Sequence, residues 1–113
     1  MSDCIFCKIV AGEIPSTLVY EDELVVAFED INPLAPVHVL VVPRAHVATL
    51  NDTQEAPEGL ADAVMRAARE IARQRGVADP GYRLVANCNG EGGQVVYHLH
   101  FHVLGGRPMG RMG

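Results

Sequence analysis

The segment His98-Leu99-His100-Phe101-His102-Val103-Leu104 alternates imidazole and apolar side chains without interruption. A period of two belongs to an extended strand, in which successive side chains point to opposite faces. Leu99, Phe101 and Val103 then pack one face into a core, and three imidazoles share the other at a spacing of about 6.6 Å. The chain must therefore build a sheet with one apolar face and one reactive face. The neighbouring residues predict the rest of that sheet. Leu18-Val19-Tyr20 and Leu24 to Phe28 are β-prone runs flanking Glu21-Asp22-Glu23, which reads as a hairpin. His38 to Val42 is a near-continuous apolar run closed by Pro43, as expected of a central strand buried on both faces. Tyr82 to Ala86 is a further strand, and the final strand is expected from Val95 to Leu104.

Two loops and a helix separate these strands. Asp30 to Pro36 holds two prolines and an asparagine, and Asn87 to Gln94 is rich in glycine. Leu60, Val64, Ala67, Ala68 and Ile71 recur at spacings of three and four, the apolar stripe of a long helix. Glu55, Glu58 and Asp62 lie toward its start and Arg66, Arg69, Arg73 and Arg75 toward its end, which complements the helix dipole; Gly76 is its expected stop. Cys4 to Val10 is a short mixed stretch before the first strand, and Gly105 to Gly113 is a tail expected to lack regular structure. Several strands with one long and one short helix define an α+β domain with an antiparallel sheet.

A length of 113 residues suits a single domain, 1–113. The formal charge of -5 and the single lysine, Lys8, exclude the basic stripe that nucleic-acid backbones demand. No apolar run approaches the roughly 20 residues of a membrane span. Three cysteines, an odd number, predict a reducing cytosol rather than a disulfide framework. The expectation is a cytoplasmic domain, small enough for dimerisation to add to its core.

Neutral imidazole is both a nucleophile and a proton carrier, which suits phosphoryl or nucleotidyl transfer through a covalent intermediate. The rival reading is metal, because histidines at i and i+2 on a strand can chelate zinc. The loop Asn87-Cys88-Asn89-Gly90-Glu91-Gly92-Gly93-Gln94 is a turn, or beside the histidines a cradle whose amides approach an anion. Cys4-Ile5-Phe6-Cys7 is half a zinc site, a redox dithiol or a pair of thiols in a metal-free fold. Cys88 reads as a small buried side chain.

These residues resemble the histidine triad (HIT) nucleotide hydrolases and transferases. His98 to Leu104 matches the His-x-His-x-His-x-x signature, and Asp30-Ile31-Asn32-Pro33-Leu34-Ala35-Pro36-Val37-His38 resembles the family's ribose-side loop and strand. Gly92-Gly93-Gln94 and His102-Val103-Leu104-Gly105-Gly106-Arg107 resemble the Hint branch of purine nucleoside phosphoramidases; the similarity runs from Ile5 to Arg107. It implies a five-stranded antiparallel sheet that becomes ten-stranded in a homodimer joined through the long helix and a strand edge.

The resemblance also implies roles. His100 corresponds to the nucleophile that forms a nucleotidyl-histidine, His102 to the phosphate-contacting histidine and His38 to the histidine supporting the triad. Asp30 corresponds to the acid that binds the ribose hydroxyls, a carboxylate serving as a double acceptor. Phe6, Ile9, Phe28 and Ile31 correspond to the base pocket, whereas their residue types alone suit ordinary core. Asn87 and Gly93 correspond to phosphate-positioning residues, with Gln94 and Val95 beside them. Val95 departs from the branch, which usually carries a serine whose hydroxyl helps at the phosphate or leaving group. Bacterial-type members with the N-terminal cysteine pair, and the related galactose-1-phosphate uridylyltransferases, imply a structural zinc on Cys4, Cys7, His46 and His98. No catalytic metal is expected. The implied substrate is a purine nucleoside 5′-phosphoramidate, with AMP- or GMP-type products. The alternatives are a dinucleoside polyphosphate hydrolase and a nucleotide-binding regulatory module with little turnover.

Overall fold

A computed structural model describes residues 3–112; Met1, Ser2 and Gly113, the last residue of the expected tail, lie outside the described residues. The first helix, α1, spans Ile5–Val10, and strands β1 and β2 span Leu18–Glu21 and Val25–Glu29. Strand β3 spans Val37–Pro43, helix α2 Leu60–Gln74, β4 Tyr82–Ala86 and β5 Phe101–Gly105. The strands form one antiparallel sheet in the order β1-β2-β3-β5-β4, with β3 at its centre as its apolar run predicts.

Both faces of the sheet are covered, by different elements. On one face Val25, Ala27, Val39, Val41 and Val103 pack against Ala63, Val64, Ala67 and Ile71 of α2. On the other, Phe6 of α1 packs against Val26, Phe28, Leu40 and Val42. The alternating residues of β2 and β3 thus divide between two apolar clusters, which is why these strands read as continuous hydrophobic runs. Fully burying one such Val or Ile side chain contributes roughly 1.5–3 kcal/mol.

Two expectations need correction. The last strand begins at Phe101, not Val95, because residues 95–100 find hydrogen bonds outside the sheet. Leu99 N–H donates to the Val47 carbonyl at 2.7 Å, and Gln94 Nε2 donates to the Val96 carbonyl at 3.0 Å. The alternation of faces nevertheless survives without strand pairing. Leu99 is fully buried in the α2-side core, whereas His98 and His100 meet Phe6 on the opposite side. The acidic lead-in to the long helix is also separate from it. Residues Leu50–Glu55 form a 3-10 helix, capped reciprocally by Thr49 and Asp52, and Pro57 to Gly59 intervene before α2.

The loop joining β2 to β3 is held at its far end by a close approach that only glycine permits. Gly106 has φ +94°, and a Cβ there would stand 2.8 Å from Pro36 Cβ. Arg107 reinforces the contact by donating to the Leu34 carbonyl at 2.8 Å. The Gly106→Ala substitution should lower stability by about 1–3 kcal/mol. It should appear in urea denaturation as a lower midpoint with an unchanged slope, and an unchanged midpoint would refute the close approach.

Candidate active site

The face of the sheet opposite α2 is not fully covered. Between α1, the loop after β2 and the glycine loop after β4 lies a cleft of about 680 Å³. Phe6 and Phe28 form its buried apolar floor, edge to face with centroids 5.5 Å apart. Ile9 also lines it, and Ile31 and Val95 stand at its rim, 89% and 85% exposed. Asp30, His38 and Asn87 line the polar end with His100 and His102. The cleft therefore joins an aromatic pocket to an imidazole cluster, a plan suited to a ligand with one apolar and one polar end.

The fold sets each imidazole separately. His38 on β3 and His102 on β5 flank the same cross-strand pair, since Leu40 faces His102 and His38 faces Leu104. His38 Nε2 lies 2.9 Å from His102 Nδ1 and 3.5 Å from Asp30 Oδ2. The Leu34 backbone N–H donates to His38 Nδ1 at 3.0 Å. His100 precedes β5 and donates from Nδ1 to the His98 carbonyl at 2.8 Å, its ring 5.1 Å from both Phe6 and His102. In the neutral ring that hydrogen bond places the proton on Nδ1 and the lone pair on Nε2.

The glycine loop is shaped by its own backbone. A Cβ on Gly92 would sit 2.4 Å from the Cys88 carbonyl oxygen, so no other residue fits there. Asn87 Nδ2 donates to the Gly92 carbonyl at 2.7 Å, which leaves its second N–H for a ligand. The Gly93 amide is engaged with the Gly90 carbonyl at 3.0 Å. It closes the turn, so Gly93 offers room beside Asn87 rather than a donor. Gln94 does not line the cleft; its buried amide binds the Ala48 and Val96 carbonyls and accepts from Asn89 N–H. Sequence reasoning missed Leu34, whose amide meets His38, and Ile5, Ile14 and Val96 in the wall. Only the prolines at 33 and 36, which stiffen that loop, hinted at the first.

A second cluster lies at the back of the triad. Cys4 Sγ and Cys7 Sγ lie 3.3 and 3.4 Å from His98 Nδ1, and Cys7 Sγ lies 3.2 Å from His46 Nδ1. The four ligand atoms are all within 4.8 Å of one another and could hold a metal ion. Sulfur and nitrogen ligands at ordinary tetrahedral bond lengths stand about 3.5 Å apart, so the spacing fits. His98 Nε2–H donates to the Pro43 carbonyl at 2.8 Å, which turns the lone pair of Nδ1 toward the sulfurs. Cys4 caps α1, its sulfur accepting from the Cys7 N–H at 3.4 Å.

Burial governs the charge of these imidazoles. It pushes His102 down to about 4, with the neighbouring His100 and His38 adding to the effect and Asp30 opposing it. Burial likewise lowers His38, against the pull of the Asp30 carboxylate, and lowers His98. At the polar end of the cleft His38 and His102 are accordingly neutral imidazoles.

The HIT domain family profile matches residues 11–109, and the chain belongs to that family. It is 49% identical over 110 residues to the purine nucleoside phosphoramidase of Escherichia coli, a match covering 97% of this chain and 92% of the relative. Its fold is that of a HIT family hydrolase from Legionella pneumophila, with a TM-score of 0.91, 48% identity and 96% of each chain covered. A histidine triad protein from Clostridium difficile is similar at a TM-score of 0.88 and 46% identity, covering 100% of this chain and 98% of that one.

An NMR titration should find His102 neutral down to a midpoint of about 4. An unfolded histidine takes its proton near 6.5, so the unfolded state binds protons first and stability falls as the pH drops from about 6.5 through 4. A His102 midpoint near 6.5 would contradict the buried neutral cluster.

Proposed function

We propose that this protein hydrolyses purine nucleoside 5′-phosphoramidates and related nucleotidyl derivatives through a nucleotidyl-histidine intermediate. The observation that carries this reading is the His100 Nδ1–H bond to the His98 carbonyl, which aims a nucleophilic Nε2 into the cleft. The purine stacks on Phe6 and Phe28 with Ile9 and Ile31 alongside, and the ribose hydroxyls donate to Asp30. Asn87 and His102 donate to the non-bridging oxygens, with Gly93 leaving room for them, and His38 supports His102. His100 Nε2 attacks the α-phosphorus in line, a P–N bond forms as the substrate's P–N bond breaks, and the departing amine takes a proton from water. Water then cleaves the His100–phosphorus bond and releases the nucleoside monophosphate and the free imidazole.

Cys4, Cys7, His46 and His98 bind a zinc ion with a structural role, closing the first turn of α1 onto the segment before β5. Such a site needs reduced thiols, which supports a cytosolic setting; among the described residues no helix is long and apolar enough to cross a membrane. The chain acts as one HIT domain over residues 1–113 and pairs as a homodimer. The β4 edge of the sheet, together with the exposed Met65 of α2 and the exposed Leu50 of the preceding 3-10 helix, supplies the contact and extends the sheet to ten strands.

One observation favours a second reading, a nucleotide-binding module with little turnover. Val95 at the rim of the cleft offers no hydroxyl to the leaving group.

His100→Ala should reduce turnover of adenosine 5′-phosphoramidate at least a thousandfold while circular dichroism stays native; undiminished turnover would sink the assignment. Metal analysis should return about one zinc per chain. Chelation or Cys7→Ser should lower Tm by roughly 10 °C or more, and a larger effect on the activity of the remaining folded protein than on Tm would argue against a structural ion.

A further inference from the structure

Two imidazoles that stand side by side in the cleft must present nitrogens in opposite protonation states to a phosphoryl group, one as lone pair and one as donor. His100 obtains its lone pair from the His98 carbonyl. Among the described residues no such carbonyl meets His102. Its Nδ1 faces another imidazole, His38 Nε2, at 2.9 Å, and a histidine pair can share a proton in either direction. The direction is decided one residue further on. The partner of His38 Nδ1 is the Leu34 backbone N–H at 3.0 Å, and a peptide N–H can only donate. His38 Nδ1 is therefore the acceptor, and the proton of its neutral ring sits on Nε2. The other neighbour of that Nε2 is the Asp30 carboxylate at 3.5 Å, an acceptor that favours the same tautomer. His38 Nε2–H then donates to His102 Nδ1, and His102 carries its own proton on Nε2.

We propose that the Leu34 amide is a positioning group that fixes both tautomers in series and so makes His102 a neutral Nε2–H donor to the phosphoryl oxygen. The proposal rests on the hydrolase reading for its consequence but not for its geometry. No proton is transferred along the chain. His102 donates one hydrogen bond, which strengthens as negative charge gathers on the non-bridging oxygens in the transition state. The arrangement also explains how a phosphate can be held without a lysine or arginine among the residues lining the cleft. It gives the loop from Asp30 to Pro36 a role beyond its carboxylate. Pro33 and Pro36 flank the donor, and Gly106 and Arg107 hold the same loop from the other side.

Long-range proton–nitrogen NMR on the histidine-labelled full chain tests this directly. His38 and His102 should both be Nε2–H tautomers, His100 should be Nδ1–H, and a scalar coupling should connect the Leu34 amide nitrogen to His38 Nδ1. A His38 protonated at Nδ1, or the absence of that coupling, would overturn the proposal. His38→Gln keeps an N–H facing His102 and should hold kcat for the phosphoramidate within about tenfold of the parent. His38→Leu should lower kcat by a hundredfold or more with little change in KM, and His102 should become a mixture of tautomers. Equal kcat loss in both variants with His102 tautomers unchanged would refute it. If His38→Leu does not fold, the spectra of the unsubstituted protein decide alone. Those spectra fail or hold independently of His100→Ala, so failure of the tautomer assignment is distinguishable from failure of the hydrolase reading.

Discussion

The hydrogen bond from His98 Nε2–H to the Pro43 carbonyl ties the end of the central strand to the segment entering β5. His98 is fully buried, and three of its four polar groups are engaged at once. The bond to Pro43 orients the ring, the ring presents Nδ1 to Cys4 and Cys7, and the backbone carbonyl holds His100. A shift of this one residue would disturb the cysteine cluster and His100 together. Phe6 couples them a second time, because it lies between the two cysteines in the chain and packs edge-on to both His98 and His100. The first histidine of the triad thus joins the cysteine cluster to the imidazoles of the cleft.

An acidic chain with one lysine is a poor candidate for phosphate chemistry only if phosphate must be met by positive charge. The cleft uses another means. Burial disfavours the cations of His38 and His102, and at His102 the neighbouring imidazoles add to the effect. Such rings act as oriented dipoles; an amide sets the direction of His38, as a carbonyl orients the ring of His100. In a partly dehydrated site such dipoles are effective without the desolvation penalty that a buried ammonium or guanidinium would carry. Charge composition therefore excludes binding to a long polyanion and leaves a single nucleotide phosphate open.

How much of this was legible in the sequence depended on whether one element or several were involved. The α2 stripe and the doubly buried β3 came from periodicity alone, and both stand where their residues predict. The alternation at 98–104 correctly assigned faces but overstated the strand. Face is a local property of extended backbone, whereas pairing depends on which neighbour supplies the hydrogen bonds; residues 95–100 found Val47 and Gln94. The grouping of Cys4, Cys7, His46 and His98 could be reached only through resemblance, since no local pattern links position 46 to the others. Phe6 and Phe28 were indistinguishable from core by type, and they are indeed buried, but with one side open to the cleft. Gln94 is engaged with the Ala48 and Val96 carbonyls and the Gly93 amide with the Gly90 carbonyl, a distinction that only the folded chain reveals. The Leu34 amide has no sequence signature because every residue except proline carries one.

The account stands or falls on the covalent step at His100. Rapid-quench mass spectrometry of the protein during turnover of an adenosine 5′-phosphoramidate measures it directly. The account predicts a transient adduct of one nucleotidyl group per chain, mapped to the peptide containing His100 and formed before the first turnover is complete. Steady hydrolysis with no adduct, or an adduct confined to another side chain such as His102, would contradict it.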